Sequence, residues 1–391
     1  MAKVILKEKR EKSIVNHHPW LFSGAIASVE GSPQNGEVVE VYSRQKQFLG
    51  RGFYNERTSI RIRLLTFADE QIDQSFWRKR LTQAAAMRQQ IIDMSSTNAY
   101  RLVHGEGDLL PGLTLDHYAG HLVLQIASLG LERQKEGLLA LIQEVFAPQS
   151  IYERSDLSSR KLEGLAPSSG QLYGQTPEKV EIKENGLRFL ADLCKGQKTG
   201  FFLDQRDNRS YLAKLSAGKR TLNCYCYSGA FTVYAAKGGA EDSLNIDISA
   251  EALALAEQNF KINGLTPGRH LLERAEVPDK LRKLKGEEFE LVILDPPAFA
   301  KTRTSIMAAA RGYKDINLQA LQLLKSGGLL VTCSCSQHLE RRLFQKIVHD
   351  AAIDAGRELQ ILANLGQAPD HPVNISHPEG EYLKCLVCRV I

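Results

Sequence analysis

The apolar positions of this chain change period along its length, and each change predicts a different kind of structure. Between residues 36 and 67 the runs GEVVEVYS, FLGRGFYN and SIRIRLLTF are short, and in the last of them Ile60, Ile62 and Leu64 alternate with Arg61 and Arg63. Alternation at period two turns one face of a strand to a core and the other to water, so this stretch predicts a small β-rich module with arginines along one face. From Phe76 the period lengthens: Trp77, Leu81, Ala84, Met87, Ile91 and Met94 recur at three and four, the stripe of an amphipathic helix. RLVHGEGDLLPGLTLDHYAGHLVLQIAS then breaks into strand-like runs at its Gly-Asp and Pro-Gly turns, ahead of a helix near 131–146 and a strand near 150–154. That segment reads as α+β. The turn formers of APSSGQLYGQTPEK make it the expected linker.

Beyond residue 199 strand and helix alternate. The apolar runs RTLNCYC (220–226), SLNID (243–247), FELVILD (289–295) and GLLVTCSCS (328–336) each precede a helical pattern, and AEALALAEQNFKING stops at Asn263-Gly264 as a helix C-terminus does. Near-continuous apolar strands between helices predict an α/β doubly wound, mostly parallel sheet covered on both faces. Ligands of such sheets bind beyond the carboxyl ends of the strands. The pattern divides the chain into residues 1–72, a β-rich module; 73–185, an α+β segment; and 186–391, the doubly wound sheet.

No run of about 18 apolar residues is present, and the first residues, MAKVILKEKREK, lack the apolar core of a signal peptide, so a cytoplasmic protein without a membrane partner is expected. Seven cysteines without an export signal point to reduced thiols rather than a disulfide scaffold. Residues 1–63 carry 11 basic against 6 acidic side chains, which equals the net charge of +5 of the whole chain. This excess suggests that the N-terminal module binds a polyanion.

The first strand-to-helix turn, NCYCYSGAF, holds one glycine, Gly229, where a dinucleotide fold has three, and no phosphate-binding G-x-x-x-x-G-K-[ST] occurs. A nucleoside ligand without a pyrophosphate fits better. S-adenosylmethionine (SAM) is such a ligand, and its ribose wants an acidic acceptor at the end of the second strand. Asp247 stands there, about 20 residues after the first turn. Its plainer role, capping the following helix, is one that Ser249 can fill. Glu276, after the third strand LLER, is a candidate for the adenine amine or else a first-turn helix carboxylate.

The fourth strand runs into Asp295-Pro296-Pro297-Ala298-Phe299. Two prolines end the ladder and leave carbonyls unpaired above the sheet; Asp295 adds an acceptor and Phe299 a flat face. A flat base with amino and imino groups needs this set, although a rigid strand exit with a core phenylalanine would look similar. In the simplest topology the strand through Cys333 and Cys335 neighbours this one. Carbon 5 of cytosine is too electron-poor to attack a methyl group until a thiolate adds at carbon 6, and a thiol beside the base-holding loop would supply that step. Cys335 lies further past the sheet than Cys333 and is the expected nucleophile, with a pair of small packing residues as the alternative. Cys194, Cys224, Cys226, Cys385 and Cys388 read as packing residues, and no metal is implied.

KTGFFLDQRDNR (198–209), NCYCYSGAF, NIDIS, LDPPAFAK and TCSCS, in this order, resemble the bacterial ribosomal RNA large subunit cytosine-5 methyltransferase I family over essentially the whole chain. The resemblance implies a class I, Rossmann-like SAM methyltransferase with an N-terminal PUA domain for RNA and a central α+β domain. It implies transfer from SAM to carbon 5 of a cytosine in 23S rRNA or a precursor of the large subunit. SAM would lie against Lys198, Thr199, Gly200, Phe201, Phe202, Asp204, Gln205, Tyr227, Ser228, Gly229, Asp247, Glu276 and Asp295. The base would fall to Asp295 and Pro296 and the nucleophile to Cys335; Pro297, Phe299, Lys301 and Arg303, on and after the same loop, are further candidates for the substrate. Two departures from the family pattern stand out: the second thiol at Cys333, and Ala275-Glu276 in place of an Asp-rich third motif. Arg311 and Lys314 read as RNA grips or a solvated helix face. A homodimer is left open. The alternatives are a methyltransferase of purine or exocyclic nitrogen using the same loop, and a non-catalytic assembly factor that binds RNA.

Overall fold

The computed structural model describes residues 1–300 and 302–391; the Lys301 expected at the base lies outside the described residues, as does the side chain of Arg303. The chain forms two compact units. The first comprises residues 1–182, 191–203 and 369–380, the second residues 183–190, 204–368 and 381–391.

The first unit opens with six strands, β1 (Lys3–Leu6), β2 (Trp20–Phe22), β3 (Ile26–Glu30), β4 (Val38–Tyr42), β5 (Phe48–Tyr54) and β6 (Ile60–Thr66), in the order β2-β6-β5-β4-β1-β3. The alternation in β6 works as expected on the apolar side, where Ile62 and Leu64 join Val4, Leu6, Val39 and Val41 in a closed core. On the polar side it does not. Arg63 is held by Glu106 (3.2 Å) and Glu163 (3.0 Å) of the following segment, and Arg51 is buried against Glu40 (2.9 Å) and Asp69 (2.6 Å), so Arg51 braces the module internally and Arg63 ties it to its neighbour.

A second sheet follows, β7 (Ala99–His104), β8 (Leu113–Tyr118), β9 (His121–Ile126), β10 (Ser150–Ser155) and β11 (Ser168–Gly174), ordered β11-β10-β9-β8-β7. Half of the stretch expected as a linker is β11, an edge strand antiparallel to β10. The amphipathic helix runs Gln74–Ile91, with the Asp73 carboxylate accepting the Phe76 N–H (2.9 Å) as its N-cap. Its buried stripe is Phe76, Trp77, Leu81, Ala84 and Arg88, while Ile91 and Met94 are exposed. Arg88 turns inward because Asp108 takes its guanidinium in two bonds (2.6 and 2.7 Å) and the carbonyls of Arg101, Asp370 and Ala84 take the rest (2.8, 2.7 and 3.3 Å).

The hairpin β12 (Val180–Glu184) and β13 (Leu187–Ala191) carries the chain into the second unit. There seven strands, β14 (Arg220–Cys224), β15 (Asp242–Asp247), β16 (His270–Arg274), β17 (Phe289–Leu294), β18 (Leu324–Ser334), β19 (Leu359–Leu365) and β20 (Lys384–Val390), form one sheet ordered β16-β15-β14-β17-β18-β20-β19. The first five are parallel, and β20 enters antiparallel to both β18 and β19. Successive residues serve opposite faces: Leu291, Ile293 and Val331 pack in one cluster, Val292, Leu294 and Leu330 in another. Each strand is therefore apolar throughout. The order reverses between β14 and β17, and this switch point is where an open α/β sheet makes its crevice.

Candidate functional site

The strand ends bordering the switch point carry the residues expected in the site. Past β14 the backbone passes through positive φ at Tyr225 (59°), Tyr227 (46°) and Gly229 (72°). This coiling directs the Tyr227 N–H at Asp247 Oδ2 (2.8 Å), while Asp247 Oδ1 accepts the Ser249 N–H (2.9 Å). Ser249 itself caps the helix Ala250–Ile262 by accepting the Ala252 N–H (3.1 Å). The capping role open to Asp247 is thus taken by Ser249, and the carboxylate is fixed by two backbone donors at the mouth of the sheet. Next to it the apolar Ile248 is 54% exposed, and Glu276 is exposed at the start of the helix Val277–Lys283. Ser228 is buried, with its carbonyl accepting from Asn259 (2.9 Å).

At the end of β17 Asp295 is half-buried. Gln205 Nε2 donates to its Oδ1 (2.9 Å), and Asn208 in turn donates to Gln205 Oε1 (2.6 Å). Asp204 accepts the Tyr382 hydroxyl (2.7 Å). Pro296 is buried and Pro297 exposed; Phe299 lies tilted on Tyr313 with ring centres 4.6 Å apart, which is a packing role.

The two thiols part company at the end of β18. Cys333 is sealed inside the sheet opposite Cys385, and that neighbouring thiol together with burial holds it well above a thiol's ordinary value. Cys335 lies one residue past the strand and is half-buried, its Sγ 3.9 Å from the Pro296 carbonyl. The loop around it is pinned: Ser336 Oγ accepts the Ala300 N–H (3.1 Å), and the Tyr313 hydroxyl bonds both Ser334 and Ser336 (3.0 Å each). These hydroxyls, Tyr382 and Lys384 are parts of the site that patterning missed. The lone lysine in the apolar run EYLKCLVCRVI was the available signal.

Residues 198–202 belong to the first unit. Thr199 Oγ1 is buried between Asp116 (2.6 Å) and Tyr118 (2.8 Å), Phe201 is buried, and the Lys198 ammonium lies over the Phe202 ring, 4.5 Å from its centre. Among the described residues no cluster of His, Cys, Asp and Glu has the makings of a metal site, and no helix is long and apolar enough to cross a membrane.

A fixed carboxylate at the second strand, an apolar side chain beside it and a coiled first turn fit an adenosine and its ribose hydroxyls, and with this sheet order they define a SAM-dependent methyltransferase. The S-adenosylmethionine-dependent methyltransferase family matches residues 100–380, and the PUA-like domain family residues 4–67. A crystal structure of a methyltransferase complexed with SAH superposes with a TM-score of 0.87 at 25% identity, covering 100% of both chains. Proteins named ribosomal RNA large subunit methyltransferase I are 47% identical in Tolumonas auensis and 48% identical in Aeromonas hydrophila, each over 99% of both chains. The chain belongs to this ribosomal RNA large subunit methyltransferase I family.

Proposed function

We propose that this protein methylates carbon 5 of a cytosine in large-subunit ribosomal RNA, with Cys335 as the nucleophile. The observation that carries this reading is the contrast between the two thiols: Cys335 is accessible beside the Pro296 carbonyl, whereas Cys333 is closed into the sheet. The names of the full-length relatives support the RNA substrate. Bound SAM supplies an electrophilic methyl group on its sulfonium.

The chain's own residues do the rest. Asp247 holds the ribose hydroxyls, with Tyr227 to Gly229 and Glu276 around the adenosine. Asp295, oriented by Gln205, and the carbonyl of Pro296 meet the polar edge of the base. Cys335 Sγ bonds to carbon 6, and the ring electrons gathered at carbon 5 make that carbon nucleophilic. After carbon 5 has taken its methyl group, loss of the carbon 5 proton re-forms the double bond and expels the thiolate. The target base must leave its stack or be unpaired to reach the thiol. Lys9, Arg10 and Lys12 are exposed in the N-terminal module, and among the described residues none of them makes an ion pair; they suit backbone phosphates better than the braced Arg51 and Arg63.

The test is transfer from labelled SAM to ribosomal RNA from a strain lacking the enzyme, with the product nucleoside identified by mass spectrometry. Cys335→Ala is expected to abolish 5-methylcytosine formation and Cys333→Ala to retain it. Methylation that survives in Cys335→Ala, or a product methylated on nitrogen, sinks the reading.

A further inference from the structure

Lys384 is a buried ammonium that has no carboxylate partner among the described residues. It begins β20, directly opposite Ser334 in the antiparallel ladder with β18, and is 2% exposed. Its Nζ donates to the carbonyls of Ser336 (2.7 Å) and Tyr382 (2.8 Å). Among the described residues no carboxylate lies within ion-pair distance of it, and the nearby Glu381 is engaged by Arg341 at 2.7 Å. Lys384 therefore brackets Cys335: it faces the residue before that cysteine and bonds the carbonyl of the residue after it.

A buried charge without a counter-ion is strongly destabilising in general, and such groups concentrate at sites where the charge has work to do. Here the ionisable group that acts most strongly on the ammonium is the Cys335 thiol, ahead of Arg341 and Glu381, while burial pushes the lysine down to about 8. The coupling is reciprocal. What a thiolate does to keep the ammonium charged, the ammonium does to keep the sulfur ionised.

We propose that Lys384 is a positioning residue whose ammonium holds the Cys335 sulfur in its thiolate form, ready to add to the base. The inference rests on the reading of Cys335 as the nucleophile, yet it concerns a property of the free protein. The charged and titratable groups packed around the pair are Arg341 and Glu381 beside Lys384 and Tyr313 beside Cys335. Tyr313 is itself held above its ordinary value by burial and stays neutral through the range in which the thiol titrates.

The experiment is alkylation of the full-length protein by iodoacetamide across pH 5 to about 10, with the modification of each cysteine followed by peptide mass spectrometry. Cys194, the other half-buried thiol, serves as the internal control. In the wild type Cys335 is expected to reach half-maximal reactivity below the ordinary thiol value of about 8.5, and Lys384→Met is expected to move that midpoint upward and slow Cys335 alkylation at pH 7 about tenfold, with Cys194 unchanged. A Lys384→Met profile that coincides with the wild type overturns the proposal. So does a wild-type midpoint at or above the ordinary value, and this second criterion holds even where the variant fails to fold. Because the readout needs neither RNA nor SAM, it separates from the Cys335→Ala methylation test: either can fail while the other stands.

Discussion

Asp247 receives two backbone N–H groups and, among the described residues, has no side-chain partner of opposite charge, so its chemistry is that of an acceptor held in place by the main chain. Asp247→Asn presents an amide N–H2 to one of those donors, and an unmatched polar contact of this sort costs about 1–3 kcal/mol. Calorimetric titration is expected to show SAM binding at least about tenfold weaker, and unchanged affinity in a folded variant would remove Asp247 from the SAM site. Single residues are also where the sequence was hardest to read. Arg88 lies on the stripe that apolar periodicity assigns to Met87 and Ile91, because its partners Asp108 and Asp370 come from remote parts of the chain. Spacing puts Cys333 and Cys335 on one face and ranks Cys335 first only as the one further along. The end of the ladder at Ser334 separates them, and a strand end is the least legible feature of a pattern.

Among elements, the first βα turn is tightly constrained. Gly229 precedes the helix Ala230–Lys237 at φ 72°, and a Cβ there would sit 2.5 Å from the Phe260 ring. Gly229→Val adds both a forbidden backbone conformation and a clash, together about 2–4 kcal/mol. Urea unfolding followed by circular dichroism is expected to show the second unit melting at clearly lower denaturant; an unshifted midpoint would mean the turn relaxes freely. The buried strands were legible because covering both faces of a sheet demands unbroken apolar runs, and β14, β15 and β17 fall within two residues of their expected limits. Where edge and irregular strands obey other rules, expectation and structure differ. β11 looks like a linker because an edge strand can be polar, and β18 starts at Leu324 rather than Gly328 because Gly327 and Gly328 lie in a ladder irregularity, not a turn.

At the scale of the whole molecule, five histidines among the described residues share one electrostatic condition. Burial holds His104, His117, His121 and His377 in the first unit and His270 in the second below the imidazole's usual 6.5, His104 well below it. The unfolded chain thus binds more protons than the folded one just under that pH, so stability is complete above 6.5 and drains away as the solution is acidified toward the folded values. Thermal midpoints are expected to fall between pH 7 and 5; a flat profile over that range would show these rings to be solvated. The domain plan was legible in outline only. Changes of period separate a β-rich start, an α+β middle and a doubly wound end, but nothing local reveals that residues 369–380 fold with the first unit, since that depends on Asp370 meeting Arg88 and the Arg101 N–H.

That late return sets the order in which a nascent chain can finish folding. Synthesis proceeds from the N-terminus, and domains made of one continuous stretch can close as soon as they emerge. Here the earlier unit includes a dozen residues translated only after residues 204–368 of the other, and until they arrive Arg88 lacks the Asp370 carbonyl as an acceptor. The first unit therefore cannot reach its complete form before most of the second has been synthesised, and one donor of the Arg88 guanidinium stays unanswered in every unfinished copy.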